Sequence, residues 1–194
     1  MALMTACGLG RRFGSRWIFR RIEFELAQGD ALCVLGANGS GKSTLLRILA
    51  GLMSPTEGSV DPKPCDSRNV IGYAALDLSL YHHLTAREHL ELAARLRGLP
   101  SERAELLDTV GLGDVGQKPV GQFSSGMRAR LKIVLAIQHE PPLLLLDEPS
   151  APLDTSGREI VSKIIAEQME RGAVVIATND QSDRRYATHE LELA

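Results

Sequence analysis

The sequence predicts an α/β domain built on a mostly parallel sheet, and three observations carry that reading. Short apolar runs recur as ALCVL at 31–35, LLLLD at 143–147 and AVVIA at 173–177, the pattern of strands buried on both faces. Segments with apolar residues at helical spacing lie between them, the alternation that parallel strands require. Gly, Pro, Asn and Asp mark the junctions. The 194 residues are expected to form one domain, 1–194, able to bury a real core.

Taken in order, IEFEL at 22–26 alternates apolar and polar residues, AQGD turns, and ALCVLG follows. These read as a strand pair whose second member is fully buried. STLLRILAGL has helical spacing, with Gly51 as its natural stop. NVIGYAAL at 69–76 reads as a short strand. In LTAREHLELAARLRGLP, Thr85 can cap a helix, Glu88 can complete the capping box, and Gly98 with Pro100 ends it. SERAELLDTV starts another helix, and a Gly-rich connector runs from Gly111 to Gly121. Together they form a small helical insert over about 77–121. A helix from Ser125 leads to the strand at 143–147. A helix over 155–171 carries Ile160, Val161, Ile164, Ile165 and Met169 on one stripe, and after AVVIA the alternating HELELA closes the chain.

A formal net charge of −2 gives no support to a nucleic-acid-binding surface. Arginines at 11–12 and 20–21 read as a solvated face. No stretch approaches the roughly 18 to 20 apolar residues that span a bilayer, and the N-terminal basic residues follow the apolar ones, the reverse of a secretory signal. Cys7, Cys33 and Cys65 lack metal-ligand spacing and suit a reducing compartment, with Cys33 as a small core residue.

GANGSGKST at 36–44 matches G-x-x-x-x-G-K-[ST], between a buried strand and a helix. Gly36, Ala37, Asn38, Gly39, Ser40, Gly41 and Thr44 form the cradle, whose backbone N–H groups face phosphate at a helix start. Lys42 is expected to reach the β- and γ-phosphates, and Ser43 to ligate Mg²⁺. LLLLDEP carries Asp147 to the carboxyl end of a strand, where it would hold Mg²⁺ through water. Glu148 follows, placed to orient or deprotonate the attacking water. FSSGMRARLKIVLA at 123–136 offers a second anion-binding helix start, although the phosphate loop is already complete.

The order of GANGSGKST, FSSGM, LLLLDEP and SAPLD resembles the ATPase subunits of ABC transporters over nearly the whole chain. The resemblance implies a P-loop NTPase core with a mostly parallel sheet, an N-terminal antiparallel β portion and a small helical insert. It also implies ATP and Mg²⁺ as ligands and a second ABC ATPase subunit, identical or different, paired head to tail. Ser124, Ser125 and Gly126 would then contact ATP held by the partner, and Asp154 would line the dimer interface. The insert corresponds to the part that docks on a transmembrane permease subunit. Phe13 stands where the family stacks an aromatic on adenine, with Trp17 the competing candidate. The compact length is similar to that of small exporter ATPases, such as those for haem in cytochrome c maturation.

Two positions depart from the family. Leu76 occupies the place of a Gln that contacts Mg²⁺ and the attacking water, with Asp77 beside it as a candidate oxygen ligand. AVVIATND delivers Asn179 where the family has a His on the γ-phosphate. Read alone, Asn179 and Asp180 simply turn the chain. On the γ-phosphate an amide donates a hydrogen bond but carries no proton at neutral pH, so binding is expected to survive and hydrolysis to be slow. His82, His83 and His189 read as surface residues that offer no substitute.

The resemblance thus implies an ATP-hydrolysing subunit powering a separate permease, cytoplasmic and peripheral on the inner face of the membrane. Two alternatives stand beside it. A soluble ABC ATPase of translation or DNA repair is disfavoured by the single domain. A partly degenerate partner of a second ABC ATPase is favoured by Leu76 and Asn179 and opposed by Lys42, Asp147 and Glu148.

Overall fold

A computed structural model describes residues 2–61 and 69–193; Cys65 lies outside the described residues. Strand β1 (Ala2–Phe13) pairs antiparallel with β2 (Arg16–Ala27). Strand β3 (Ala31–Leu35) leads through the glycine-rich loop into helix α1 (Lys42–Leu49). Strand β4 (Glu57–Asp61) returns to β1, giving a three-stranded antiparallel sheet in the order β2-β1-β4. Strand β5 (Ile71–Ala75), helices α2 (Ala86–Arg97), α3 (Leu106–Thr109) and α4 (Ser125–Ile137), strand β6 (Leu143–Asp147), helix α5 (Thr155–Arg171) and strands β7 (Ala173–Ala177) and β8 (His189–Glu192) complete the chain. The second sheet runs β5-β6-β7-β3-β8, and every pairing in it is parallel.

The parallel core and the N-terminal antiparallel β portion agree with the sequence reading, while the strand pairing expected within that portion is corrected. IEFEL belongs to β2, and β2 does not pair with β3. Asp30 builds the expected turn, its Oδ2 accepting from the Ala27 N–H at 2.7 Å, but the turn passes the chain from one sheet to the other. Both edges of β3 are taken by β7 and β8, so no edge is left for β2. β1 is not legible as a strand in the sequence, because register shifts interrupt its alternation around Gly8. β4 was missed for a related reason. Gly58, at φ 79°, reads as a turn, yet a Cβ there would lie 2.4 Å from the Cys7 and Gly8 carbonyl oxygens. Only glycine lets β4 approach β1 so closely.

Period-2 alternation divides the parallel sheet between two cores. Leu143, Leu145, Val175 and Val34 pack toward α1 and the antiparallel sheet, together with Met4, Leu9 and Leu26. Leu144, Leu146, Val174, Ile176 and Cys33 pack toward α4, α5 and the insert. Burial pushes the Cys33 thiol up to about 11, which keeps it an inert apolar residue. On α5, Val161, Ile164 and Ile165 are buried while Ile160 and Met169 are partly covered, as the stripe predicts.

The insert begins as expected, with Thr85 and Glu88 forming a reciprocal capping box and Gly98 a left-handed C-cap. The helix expected from Ser101 is shorter than predicted. Residues 103–108 make i→i+3 bonds, and Gly111 at φ 66° stops the run after the single turn of α3. The neck of the insert is pinned where Val120 N–H donates to Leu84 O and Gly121 N–H to His82 O, each at 2.9 Å. Among the described residues, no helix is long and apolar enough to cross a membrane.

Register places four residues side by side across the sheet: Ala75, Asp147, Ala177 and Val34. The loops that follow them all emerge at the same carboxyl edge, which is where open parallel sheets bind ligands.

Candidate functional site

The loop after β3 curls because three glycines take conformations closed to other residues: Gly36 at φ 145°, Gly39 at 85° and Gly41 at 106°. At Gly41 space is equally restrictive, since a Cβ would meet Ile18 Cγ2 at 2.3 Å. Gly41 is also the N-cap of α1 and offers no side chain to its first turn, which contains no acidic residue. The first N–H groups of α1 therefore face the loop's own cavity, an anion-favouring arrangement.

Lys42 opens α1 with its side chain buried to 7% exposure. Its Nζ donates to Gly36 O at 2.8 Å, Ala37 O at 3.3 Å and Asn179 Oδ1 at 2.9 Å. That uses all three donors of an ammonium. Glu148 Oε1 lies 3.7 Å away as counter-charge. Asn179 donates its own Nδ2 hydrogen to Asn38 Oδ1, closing a ring between the last core strand and the phosphate loop. The structure thus brings Lys42, Asn38, Asn179 and Glu148 together at one edge of the sheet.

Asp147 and Glu148 meet different surroundings. Asp147 is 6% exposed, and burial raises its pKa above the usual carboxylate range, opposed by a hydrogen bond from the Ser43 hydroxyl. Its Oδ1 is buried with no hydrogen-bond partner among the described residues. A hydroxyl and a carboxylate with a free buried oxygen suit a hard divalent cation such as Mg²⁺, so the residues present fit that ion. Glu148 is half-buried, and burial raises its pKa as well, with the Asn179 N–H and Lys42 opposing. Its backbone sits at φ 50°, a strained conformation for a glutamate. A bond from its N–H to Ala177 O at 2.8 Å holds it there, and its Oε2 accepts from the Asn179 N–H at 3.4 Å.

A cleft of about 300 Å³ opens beside the loop, lined by Asn38, Gly39, Gly41, Lys42, Ser43, Thr44, Glu148 and Ile18. Ile18 was absent from the sequence reading, and neither aromatic candidate lines this cleft. Phe13 is 45% exposed with the Arg11 guanidinium 4.6 Å from its ring centre. Trp17 lies under Arg20 at 4.1 Å and Arg12 at 5.4 Å. The arginine-rich segment thus covers its own aromatics.

The remaining predicted residues stand apart from the cleft lining. Ser124 caps α4, its Oγ accepting from the Met127 N–H at 3.2 Å, and Ser124 and Ser125 are exposed. A Cβ on Gly126 would lie 3.2 Å from Pro152 O, so the start of α4 packs on the SAPLD loop. Asp154 caps α5, accepting from the Gly157 N–H at 2.8 Å. Leu76 is 44% exposed and Asp77 pairs with Arg47 of α1. Lys132 of α4 donates to the Leu76 carbonyl. His82, His83 and His189 are exposed. A buried group that no motif indicated, Ser150, Thr178 and Asp183, joins the loops behind Glu148 and Asn179. Ser150 opens SAPLD and Thr178 lies in AVVIATND, five residues before Asp183, but neither stretch points to a buried carboxyl group that links them.

The raised pKa of Asp147 has a measurable consequence. A carboxyl group whose folded pKa lies above its unfolded value destabilises the fold at pH values above the folded pKa, and the penalty fades below the unfolded pKa. Asp147→Asn is therefore expected to raise the thermal midpoint in EDTA at pH 7, with the advantage shrinking as pH falls through the raised pKa. Melting curves of both proteins across pH check this; a lower midpoint for the variant at neutral pH contradicts it.

Comparison with known proteins agrees with this geometry. Residues 19–151 match the ABC transporter family. The chain is 37% identical over 168 residues to an uncharacterised ABC transporter ATP-binding protein of Bacillus subtilis, YxlF, covering 82% of this chain and 57% of that relative. It thus spans little more than half the length of that protein. It is 38% identical over 188 residues to a cytochrome c biogenesis ATP-binding export protein of Rhizobium meliloti, covering 92% of this chain and 91% of the relative. A solved dimer of the ATP-binding cassette MJ0796, in a post-hydrolysis state with ADP and Pi, superposes with a TM-score of 0.86 at 25% identity, over 98% of this chain and 94% of that one. The chain belongs to the ABC transporter family, as an ATP-binding domain.

Proposed function

We propose that the chain binds and hydrolyses ATP as a subunit that pairs with a second ABC ATPase, identical or different, and powers transport through a separate membrane permease. The observation that carries this reading is a division of parts. Lys42, Ser43, Asp147, Glu148 and Asn179 converge on one edge, while Ser124 and Ser125 stand exposed at the start of another helix, away from that cleft's lining. An exposed helix start with no acidic residue in its first turn suits a phosphate presented by a partner. The dimeric MJ0796 cassette supports such pairing.

In this reading the loop amides and Lys42 bind the β- and γ-phosphates. Ser43 and Asp147 hold Mg²⁺, which supplies charge neutralisation on the phosphates. Asp77 joins them only if Arg47 releases it. Glu148 orients the attacking water and accepts its proton; the water oxygen bonds to the γ-phosphorus as that phosphorus loses its bond to the bridging oxygen, and ADP leaves with the electron pair. Ser124, Ser125 and Gly126 serve the partner's ATP, with Asp154 at the interface. Phe13 and Trp17 compete to stack on adenine once their arginines move aside.

The permease docks at the insert, where an apolar groove of about 260 Å³ lies between α2, α4 and the loop after β5. Tyr81 at 65% and Leu96 at 75% exposure leave it open. The chain then works on the cytoplasmic face of the membrane, and the relative named as an export protein favours outward transport. Leu76 and Asn179 favour a second reading, a partly degenerate partner whose companion does most of the hydrolysis.

Glu148→Gln is expected to lower kcat by about 10²- to 10⁴-fold while MgATP still binds and drives association into dimers. Phosphate-release assays and light scattering read both effects. Hydrolysis close to that of the wild type would refute the role of Glu148. For Asn179→His, the account expects faster steady-state hydrolysis. An unchanged rate with intact nucleotide binding assigns Asn179 no part in turnover.

A further inference from the structure

Asp183 belongs to no motif, yet it is 3% exposed and accepts two short hydrogen bonds from different loops. Its Oδ1 accepts from Ser150 Oγ at 2.7 Å, and its Oδ2 from Thr178 Oγ1 at 2.7 Å. Ser150 lies two residues after Glu148, and Thr178 lies one residue before Asn179. A single carboxyl group therefore spans the two loops that carry the water-activating and phosphate-facing side chains.

The connections continue on both sides. Thr178 N–H donates to Val34 O at 3.1 Å, tying the junction to the strand that feeds the phosphate loop. Thr178 Oγ1 also accepts from the Asp180 N–H at 2.9 Å, so its one proton is left for Asp183. Asp183 N–H donates to Asp180 O at 3.2 Å, and the Asp183 carbonyl accepts from Cys33 Sγ at 3.6 Å. Every hydroxyl and carboxyl oxygen in this cluster thus has a partner, the condition for a buried polar group to be rigid. Glu148 depends on that rigidity. Its strained backbone is held by Ala177 O, and its carboxylate meets the Asn179 N–H.

We propose that Asp183 is a positioning residue for hydrolysis, fixing through Ser150 and Thr178 the spacing between Glu148 and Asn179. The inference rests on the reading of Glu148 and Asn179 given above. Asp183 is buried and does not line the cleft beside the phosphate loop. An apolar residue in its place would leave two buried hydroxyls without acceptors and let the loops shift independently. Asn at 183 would offer one acceptor where two hydroxyl donors arrive.

The test compares steady-state ATP hydrolysis with MgADP affinity in the purified full chain. Thr178→Val removes one hydroxyl at nearly constant shape, Thr178→Ser restores it, and Asp183→Asn alters the acceptor. Thr178→Val and Asp183→Asn are each expected to lower kcat by about tenfold to a hundredfold, the scale of small misplacements of catalytic groups. The MgADP dissociation constant should stay within about twofold, and Thr178→Ser should recover most of the rate. Combining Thr178→Val with Asp183→Asn should cost little more than the worse single change, because both break one link.

If Asp183→Asn fails to fold, the Thr178→Val and Thr178→Ser pair decides. Rates for Thr178→Val and Asp183→Asn within about threefold of the wild type overturn the proposal, as does a loss of MgADP affinity that matches the loss of rate. A wild-type chain that hydrolyses no faster than Glu148→Gln overturns instead the underlying reading of Glu148, and the inference with it.

Discussion

A buried ammonium must have acceptors on every side, and the arrangement around Lys42 follows from that constraint. Two come from the loop backbone as Gly36 O and Ala37 O, and the third is Asn179 Oδ1. Lys42 has no acceptor capacity, so the amide must turn its oxygen toward the ammonium and its nitrogen toward Asn38. In the proposed function, an arriving phosphate would compete for the same ammonium, and Asn179 would then release Lys42 and offer its N–H₂ to the phosphate. An asparagine can fill both roles without changing protonation, which distinguishes it from the histidine that the family resemblance implies.

The sheet makes this meeting possible. Asp147, Ala177 and Val34 stand in register across β6, β7 and β3, so the loops after them begin level. The phosphate loop, Glu148 and Asn179 arrive together because parallel strands share one carboxyl edge. Charge is then balanced locally. Asp147 and Glu148 are both raised by burial, and Lys42 opposes the shift in each. Glu148 adds a strained backbone at φ 50°, held by its bond to Ala177 O and flanked by the buried cluster at Asp183.

Much of this was legible in the residues. The phosphate loop follows from its glycines and Lys42, and Asp147 and Glu148 from a leucine-rich strand that ends in two acids. The helix at Thr85 announced itself through its capping box, which the structure forms, whereas the caps that Ser124 and Asp154 supply to α4 and α5 emerge only from the structure. What escaped depended on contacts between distant segments. β1 and β4 hide because bulges and Gly58 break their alternation. Ile18 lines the cleft through the packing of β2 on Gly41. Asp77 looked like an oxygen ligand, but the pairing with Arg47 of α1 is set by how the loop folds back. Asp183 has no periodic or motif partner and becomes visible only once Ser150 and Thr178 are placed.

The central claim is that one nucleotide-holding edge is organised by Lys42, Ser43, Asp147 and Asn179. Anomalous scattering from Mn²⁺ in crystals of the Glu148→Gln protein grown with ATP tests it most directly. The account predicts a single strong peak beside Ser43 and Asp147, with the terminal phosphate on Lys42 in place of Asn179 Oδ1. A peak elsewhere, or bound ATP with Lys42 still bonded to Asn179 Oδ1, would contradict it.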